Sequence, residues 1–469
     1  MVITMFQNMC DLDALRDGYM SYISSSIDGE LFLENRVDDV WRIDHSILQT
    51  NTSSISRGFG VRFFADDKVS YGYSSDMSVD ALHRICKNLS RAQGAVYGEC
   101  DSHSHEKEKY YTSDVLSHEG NVDCAAFLSA LDVYARSRSS RILNVSAVIA
   151  TSAQDVCIIP AFGAMVSDRR PMVRLSVQVI MRDASGRTES GVYSGGGRYS
   201  LEKLLSEENM RLYVDEAIRH AEVMLLAQDA PAGSMPVVLG NGWTGILLHE
   251  SVGHSLEGDA NYKRASVFHD KMGEIIAAPG VHVVDDGTVC DARGSLNVDD
   301  EGVPSMNTPL IENGRLCGYM HDKRSAMLLK SAVTGNGRRE SYKHMPLPRM
   351  RNTYMLGGDA HIDEMISSVA YGVYAKSFGG GQVDTASGQF VFAASEAYMI
   401  ENGRITYPIK GAMLIGSGSE VLRDIKMIGS DFALDPGVGT CGKDGQQVPV
   451  GVGQPSVLLS KITVGGVMA

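Results

Sequence analysis

The sequence predicts an α+β protein, in which an N-terminal region of hairpins and helices is followed by a β-rich domain that carries an HExxxH helix. Three observations support this fold class. In the first half, segments with helical spacing alternate with short pairs of strands. A Pro/Gly connector at residues 229–234 then separates the two halves. Beyond it, glycines interrupt many short branched and aromatic runs, a pattern typical of strands joined by tight turns.

The first half begins with a helix predicted over residues 11–27 and a β-hairpin predicted over 58–74. The hairpin arms are rich in aromatic and branched residues, and Asp66-Asp67-Lys68 supplies the turn. A second helix is predicted over 77–93, where apolar residues recur at helical spacing. The elements predicted next are a helix near 122–136, strands near 142–150, 172–182 and 188–194, and a long amphipathic helix near 200–227.

Composition shifts along the chain predict the domain organisation. The segment 100–121 is polar and is interpreted as a linker. The predicted units are an α+β subdomain at 1–99, this linker at 100–121, a second α+β subdomain at 122–228, and the β-rich domain at 233–469.

Charge and cysteine usage narrow the class of protein. The chain has 43 Lys+Arg and 57 Asp+Glu, a net charge of −14 without a basic stripe, so nucleic-acid binding is disfavoured. No apolar run is long enough for a membrane span, and the N-terminal segment lacks the features of a secretory signal. The 8 cysteines form no CxxC pair, as expected for free thiols in a reducing compartment. The sequence therefore predicts a cytoplasmic protein.

A glycine-rich segment links the first strand of the β-rich domain to its HExxxH helix. Residues 240–245 match GxGxxG, which in a dinucleotide-binding fold would offer helix N-terminal amides to a pyrophosphate. The surrounding hairpins do not form the βαβ series that such a fold requires. We therefore interpret these glycines as a tight turn from strand to helix.

Two histidines in the helix that follows are candidate metal ligands. His249 and His254 are five residues apart, whereas zinc peptidase helices usually carry HExxH with a spacing of four. On a regular helix this spacing separates the side chains by about 140°. A shared metal therefore requires a π-type widening or a break near Gly253, whose conformational freedom would permit it. The alternative is a pair of hydrogen-bonded histidines near a helix end.

A catalytic zinc would need a third protein ligand, and the residues leave its identity open. Glu257 and Asp259 lie just downstream of the histidines. Cys441 lies far away, in a glycine-rich segment that poorly explains it as a core residue, and its thiolate would be a strong zinc ligand.

These motifs belong to a longer pattern. The chain resembles the TldD/PmbA (TldE) family of zinc metallopeptidases over almost its whole length, and within it the members that keep the metal motif. The resemblance rests on GVRFFADDKVSYGYS, APAGSMPVVL, HESVGHSLEGD, GNGRR, PRMRNTY and TCGKDGQQVPVGVGQP. The histidine spacing of five is characteristic of this family.

The resemblance implies a zinc-dependent peptidase with His249, His254 and Cys441 as zinc ligands and Glu250 as the catalytic acid/base. A metal-activated water would attack the peptide bond while Glu250 takes its proton. The family also implies a dimer, either a homodimer or a heterodimer with a PmbA/TldE-like subunit. Unfolded or flexible polypeptides would be the substrates.

A basic stretch near residue 340 supplies candidate substrate-binding residues, with a charged surface loop as the alternative interpretation. The candidates are Arg338, Arg339, Tyr342 and Arg349. Two other functions stay open on the residues alone. One is a non-catalytic peptide-binding or assembly subunit with a vestigial metal site, and the other is a metal-dependent hydrolase of non-peptide amides.

Overall fold

The computed structural model describes residues 2–24, 27–65, 67–93, 123–384 and 387–466. The linker predicted over 100–121 lies outside the described residues. The predicted α+β class with a β-rich body is confirmed, and a helical segment near residues 242–256 carries both His249 and His254.

The described N-terminal half contains six helices and six strands. They are α1 (Val2–Met9), α2 (Leu12–Met20), β1 (Asp28–Asp44), β2 (Ile47–Ala65), β3 (Lys68–Ser74), α3 (Val79–Gln93), α4 (Cys124–Arg138), β4 (Ile142–Pro160), β5 (Val166–Arg182), β6 (Thr188–Gly197), α5 (Leu201–Leu204) and α6 (Glu207–Leu226).

All six strands form one antiparallel sheet in the order β3-β2-β1-β4-β5-β6. β1 and β4 are its central pair, and their register runs from Glu30 opposite Pro160 to Asp44 opposite Ser146. The strands of the segments predicted as two α+β subdomains therefore share one continuous sheet. This long-range pairing also explains why β4 continues to Pro160, well beyond the strand predicted near 142–150.

The two faces of this sheet have different partners. α1–α3 pack on one end around Leu31, and α4 and α6 pack on the other end around Ile43. Since side chains alternate along a strand, these two odd-numbered residues of β1 lie on one face. Phe32 points to the opposite face, where it packs against Val298 and Tyr342 of the C-terminal half. That second face positions the N-terminal half against the rest of the protein.

The C-terminal half consists mostly of short strands. Its elements are β7 (Gln228–Asp229), β8 (Gly233–Leu239), α7 (Ile246–Leu248), α8 (Gly258–Tyr262), β9 (Val283–Asp286), β10 (Asn307–Glu312), β11 (Arg315–Leu316), α9 (Lys323–Leu329), β12 (Gly337–Arg338), β13 (Leu347–Pro348), β14 (Asn352–Met355), α10 (Ile362–Ser367), β15 (Tyr371–Asp384), β16 (Gln389–Glu401), β17 (Arg404–Lys410), β18 (Met413–Ser417), α11 (Gly418–Arg423), β19 (Ile425–Ile428), β20 (Ala433–Leu434), β21 (Thr440–Lys443), β22 (Gln446–Pro449), β23 (Gly451–Gln454) and β24 (Val457–Gly465).

Five of these strands close into a ring. They pair in the order β15-β8-β24-β18-β16, and β16 pairs back with β15. Val237 of β8 and Phe392 of β16 belong to the same buried apolar cluster as Leu248, which immediately precedes His249. Because the helix is anchored in this core, the closed ring fixes where the histidines lie.

A second sheet of the C-terminal half has the order β11-β10-β9-β14-β23-β20, in which β14 and β23 run parallel. The hairpin β21–β22 immediately precedes β23 and carries Cys441. The hairpin that carries Cys441 is therefore attached to this sheet through β23.

Two predicted helices differ from the structure in their length. The helix predicted over 11–27 ends at Met20, where serines favour a turn over helix, and β1 begins at Asp28. The helix predicted near 200–227 is interrupted before Ser206, whose side chain caps the N-terminus of α6. The hairpin predicted over 58–74 is confirmed, since β2 pairs with β3. No helix among the described residues has the length and apolar character that a membrane crossing needs.

Candidate metal centre

The turn that leads into the histidine helix uses its glycines as the sequence predicts. β8 ends at Leu239, and Gly242 adopts a φ of 71°, a left-handed conformation that favours glycine. A single 3-10 turn over Gly242–Gly245 then passes into α7. The described geometry therefore agrees with a structural turn.

The helix widens where it carries the histidines. Residues His249–Gly253 form one π-helical turn, in which the amide of His254 donates to the carbonyl oxygen of His249. Because this bond spans five residues, it brings the two imidazoles to one side, with their ring centroids 5.1 Å apart. Of the two alternatives, a π-type widening and a break near Gly253, the structure shows the widening.

Gly253 contributes to this turn differently from the prediction. Its φ of −54° and ψ of −56° are ordinary helical values, so no unusual backbone conformation is needed there. A Cβ atom at this position would instead lie 2.1 Å from the Sδ atom of the buried Met350. The glycine therefore permits close packing.

Cys441 reaches the histidines from the far end of the chain. It lies on β21 opposite Val448 and is 2% exposed. Its Sγ atom lies 3.4 Å from Nε2 of His254, although 187 residues separate the two in sequence. One ligand atom from each of His249, His254 and Cys441 lies within 4.8 Å of the other two.

This arrangement fits a metal ion. A tetrahedral metal with ordinary sulfur and imidazole bond lengths would place two such ligand atoms about 3.5 Å apart, close to the separation of Cys441 Sγ and His254 Nε2. Nδ1 of His249 is buried and has no hydrogen-bond partner among the described residues. Two buried imidazoles and a thiol with ligand atoms this close together form a donor set that suits a metal.

Glu257 bonds His254 on the side of the ring away from Cys441. Its Oε2 atom lies 3.1 Å from Nδ1 of His254 and accepts a hydrogen bond of 2.9 Å from Nζ of Lys443. Asp259 accepts a second bond from the same ammonium group, at 2.6 Å. A carboxylate that bonds the outer nitrogen of a metal-binding histidine orients its ring. The two acidic residues considered as the third ligand thus contact Lys443.

Charge interactions in this cluster are strong because it is buried. Burial acts to raise the pKa of Glu257, but Lys443 and His254 outweigh it and lower that pKa to about 2. Burial acts to lower the pKa of His254, but Glu257 and Cys441 hold it well above its usual range. Against the opposing effect of burial, His249 and His254 hold the pKa of the Cys441 thiol well below its ordinary value. The cysteine is therefore poised as a thiolate, the form that binds metals.

Glu250 occupies the position next to His249 on the π-helical turn. Its Oε2 atom lies 4.0 Å from Nε2 of His254, and its side chain is 22% exposed. It is the most accessible acidic group in this cluster, whereas Glu257 is buried. Its carboxylate can therefore contact both solvent and a molecule bound near the histidines.

The residues predicted to bind substrate lie in the interior, so the surface-loop interpretation is wrong. Arg349 is fully buried and donates from Nη2 to the carbonyl oxygen of Cys441 at 2.6 Å. Arg338 donates to the carbonyl oxygens of Met350 and Pro449, at 2.6 and 2.7 Å. These two guanidinium groups thereby hold the cysteine hairpin in place.

The other two candidates join the halves of the protein. Arg339 forms a buried ion pair with Glu30 of β1, at 2.6 Å. The backbone amide of Tyr342 donates to Glu34 at 2.6 Å, and its ring is buried against Phe32. Substrate contact by these four residues stays a prediction. All four residues are buried and expose almost no surface for it.

Lys443 is a site residue that sequence reasoning missed. It lies two positions after Cys441 on β21, and alternate residues of a strand share a face. That spacing was the available signal, but only the tertiary structure shows which acidic groups it meets.

Comparisons with known proteins place this fold and site in one class. Family models match three regions, described as PmbA/TldA metallopeptidase domain 1 (residues 29–92), central domain (120–225) and C-terminal domain (232–466). The chain belongs to the PmbA/TldD family of metallopeptidases.

Curated relatives show which branch of this family the chain resembles. A metalloprotease TldD homolog of Haemophilus influenzae is 44% identical over 446 residues, covering 93% of this chain and 92% of that protein. A metalloprotease TldD homolog of Buchnera aphidicola is 40% identical over 447 residues, with the same coverage. The resemblance to TldD-type members is thus confirmed.

Solved structures share the fold at low sequence identity. TldE from Thermococcus kodakarensis has a TM-score of 0.74 and 15% identity, and the match covers 97% of this chain and 99% of that one. A Thermotoga maritima protein has a TM-score of 0.77 and 19% identity, with coverage of 99% and 100%. These likenesses show the fold.

Proposed function

We propose that this chain is a zinc-dependent peptidase that hydrolyses peptide bonds in unfolded or flexible polypeptides, with Glu250 as the general base. The observation that carries the proposal is the convergence of His249, His254 and Cys441 within 4.8 Å, from segments at opposite ends of the C-terminal half. Membership of a metallopeptidase family supports it.

The donor set favours zinc among the common metals. Two imidazoles and one thiolate are typical zinc ligands, and three protein ligands leave a position for substrate or water. Bound there, zinc would polarise the scissile carbonyl and make the attacking water more acidic. The chain prepares the site itself, because Glu257 orients His254 and Arg349 holds the backbone of Cys441. One relative, from Saccharolobus solfataricus, is named a zinc metalloprotease TldD homolog.

Glu250 is the residue proposed to move the proton. Its carboxylate lies on the same turn as both histidines and remains partly open to solvent. In this role it accepts a proton from the attacking water and delivers it to the leaving amine. Because Glu257 is buried and bonded to both His254 and Lys443, it is a poor competitor for the task.

The setting of the enzyme is also part of the proposal. Extended peptides would bind by main-chain pairing to strand edges near the site, which tolerates many sequences. We infer a homodimer or a heterodimer with a PmbA/TldE-like subunit, supported by the fold shared with TldE. A cytoplasmic location is supported by the free thiols of the cysteines that the structure describes.

The decisive experiment compares Glu250→Gln with the wild type, using an unfolded polypeptide as substrate and elemental analysis for zinc. The variant is expected to keep its zinc and to lose proteolysis by about 10²- to 10⁴-fold, the usual contribution of a general base. Glu274→Gln is the matched control, because it removes an exposed carboxylate that pairs with Lys271. Normal cleavage by Glu250→Gln would remove the assigned role. Peptide binding without turnover by the wild type would favour a non-catalytic subunit.

A further inference from the structure

A basic cavity lies between the two halves of the protein. It has a volume of about 280 Å³, and its walls come from the face of the N-terminal sheet that carries Phe32 and from the C-terminal half. Two carboxylates, Asp300 and Glu340, line it. Its arginines are Arg36, Arg170, Arg198, Arg293, Arg338 and Arg339. Such a concentration of guanidinium groups is unexpected in a chain with a net charge of −14.

Several of these arginines already have carboxylate partners. The ion pairs are Arg36 with Asp38, Arg170 with Asp168 and Asp300, and Arg339 with Glu30. In three of the six arginines, the positive charge is thus balanced by a carboxylate of the protein itself.

Arg293 and Arg338 differ from that group. Arg293 donates from Nε to the carbonyl oxygen of Gly439 at 2.7 Å, and Arg338 donates to two other carbonyl oxygens. Among the described residues, neither forms an ion pair within 4.0 Å. Carbonyl oxygens satisfy hydrogen bonds but do not neutralise the charge of Arg338, which is buried, or of Arg293, which is half-buried.

The pKa values of Arg293 and Arg338 agree with their lack of an ion-pair partner among the described residues. Burial, reinforced by Arg174 and Arg198, lowers the pKa of Arg293 to about 10, although Asp435 acts in the opposite direction. Burial also lowers the pKa of Arg338 to about 9, although Asp300 acts in the opposite direction. Both positive charges are therefore held at a cost that a bound anion would reduce.

The geometry points to an oxyanion-binding site in this cavity, in which Arg293 and Arg338 hold a carboxylate or a phosphate group. A planar guanidinium presents parallel N–H donors that match two oxygens of such an anion. The site goes beyond the proposed peptidase activity and does not depend on it. The anion has two sources: the carboxylate of a peptide, or a free small anion.

The cavity is coupled to the metal centre through the β21–β22 hairpin. Thr440, the neighbour of Cys441, lines the cavity, as does Pro449 opposite it. Arg293 bonds the carbonyl oxygen of Gly439, immediately before β21, and Arg338 bonds that of Pro449 at the end of β22. An anion held by these arginines would therefore contact the side chains that bond the backbone near Cys441.

Direct binding measurements on the full chain test the site. Inorganic phosphate and acetate are the probes, titrated by calorimetry at constant ionic strength. Arg293→Gln is expected to weaken binding by about 10-fold or more, as is typical for the loss of a charged hydrogen-bond partner. Arg293→Lys, which keeps the charge, should restore part of the affinity. Arg211→Gln removes the same charge from an exposed position on α6 and should bind as the wild type does.

A second measurement needs no variant in the buried wall. Short peptides with a free or an amidated C-terminus compete with phosphate on wild-type protein, so stronger competition by the free form identifies the peptide carboxylate as the source. Equal competition by both forms assigns the site to a free anion. If Arg293→Gln does not fold, Arg36→Gln replaces it as the test variant. Arg36 lies at a more exposed side of the cavity, and its loss should also weaken phosphate binding. Undetectable binding of both probes to the wild type at millimolar concentration, or unchanged binding in Arg293→Gln, would overturn the proposal. Binding without peptidase activity would leave the site intact and remove the proposed function alone.

Discussion

The amide of His254 donates a hydrogen bond to the carbonyl oxygen of His249, so one π-helical turn joins the two histidines directly. A regular α-helix would leave the same side chains about 140° apart. The widened turn instead brings both imidazoles within reach of the Cys441 thiol. Backbone geometry is therefore what makes an HExxxH spacing suitable for a single metal ion.

The packing of this turn leads to a first prediction. Gly253→Ala would drive a Cβ atom into the buried side chain of Met350, so we expect a loss of about 1–3 kcal/mol in the free energy of unfolding and a reduced metal content. Denaturant unfolding and elemental analysis measure the two effects. Gly442→Ala is the control, because a Cβ atom there meets nothing within 4 Å although the residue adjoins Cys441. Equal behaviour of the two variants would contradict the packing argument.

The proposed third ligand, Cys441, gives a second prediction. Cys441→Ala should reduce zinc from near one ion per chain to about a tenth of that or less, because two imidazoles alone bind zinc weakly. Elemental analysis of identically purified proteins is the measurement. Cys317→Ala removes an exposed thiol and should leave the zinc content unchanged. Zinc retained by Cys441→Ala would redirect attention to Glu257 or Asp259.

The support behind His254 gives a third prediction. Glu257→Gln should weaken zinc binding by about 10- to 100-fold, as is usual when the carboxylate that orients a metal-binding histidine is lost. Competition with a chelator of known affinity measures the change. Asp259→Asn provides the comparison, since Asp259 also bonds Lys443, whereas the described carboxylate partner of His254 Nδ1 is Glu257. A larger effect of Asp259→Asn would assign the support to Lys443 instead.

An ion pair far from the metal centre predicts part of the pH dependence of stability. Arg219 of α6 donates to both oxygens of Glu396 on β16, at 2.8 Å each. Burial acts to raise the pKa of Glu396, but the bonds from Arg219 and Tyr398 outweigh it and lower that pKa to about 2, from 4.5. Because the unfolded chain binds the proton more readily, this stabilisation is complete above about pH 4.5 and is lost as the pH falls towards about 2.

The matching variant is Glu396→Gln. It should lower the free energy of unfolding at neutral pH by about 2 kcal/mol, after allowing for solvent screening, and by much less near pH 2. Denaturant titrations across this range measure both values. Glu207→Gln, which breaks an exposed ion pair within α6, should change stability little at any pH. A pH-independent effect of Glu396→Gln would disprove the electrostatic origin.

Local patterns predicted much of the fold. The hairpin of β2 and β3 and the helix α3 follow from residue spacing and turn residues that lie close together in the chain. The pairing of β1 with β4 did not follow, because their partners are more than one hundred residues apart. Strand length was underestimated for the same reason, since β4 continues for as long as β1 is available to bond it.

By itself, the sequence determined the helix that carries the two histidines and the candidate third ligands. It also showed that a metal shared by both histidines requires a widening of the helix or a break near Gly253. Only the tertiary structure brings Cys441 to His254 and turns Glu257 towards the other nitrogen of the same ring. It also buries Arg349 behind the cysteine hairpin. The physical reason is that helix geometry is set by neighbours in the chain, whereas the partners of a buried charge are set by which distant segments pack against it.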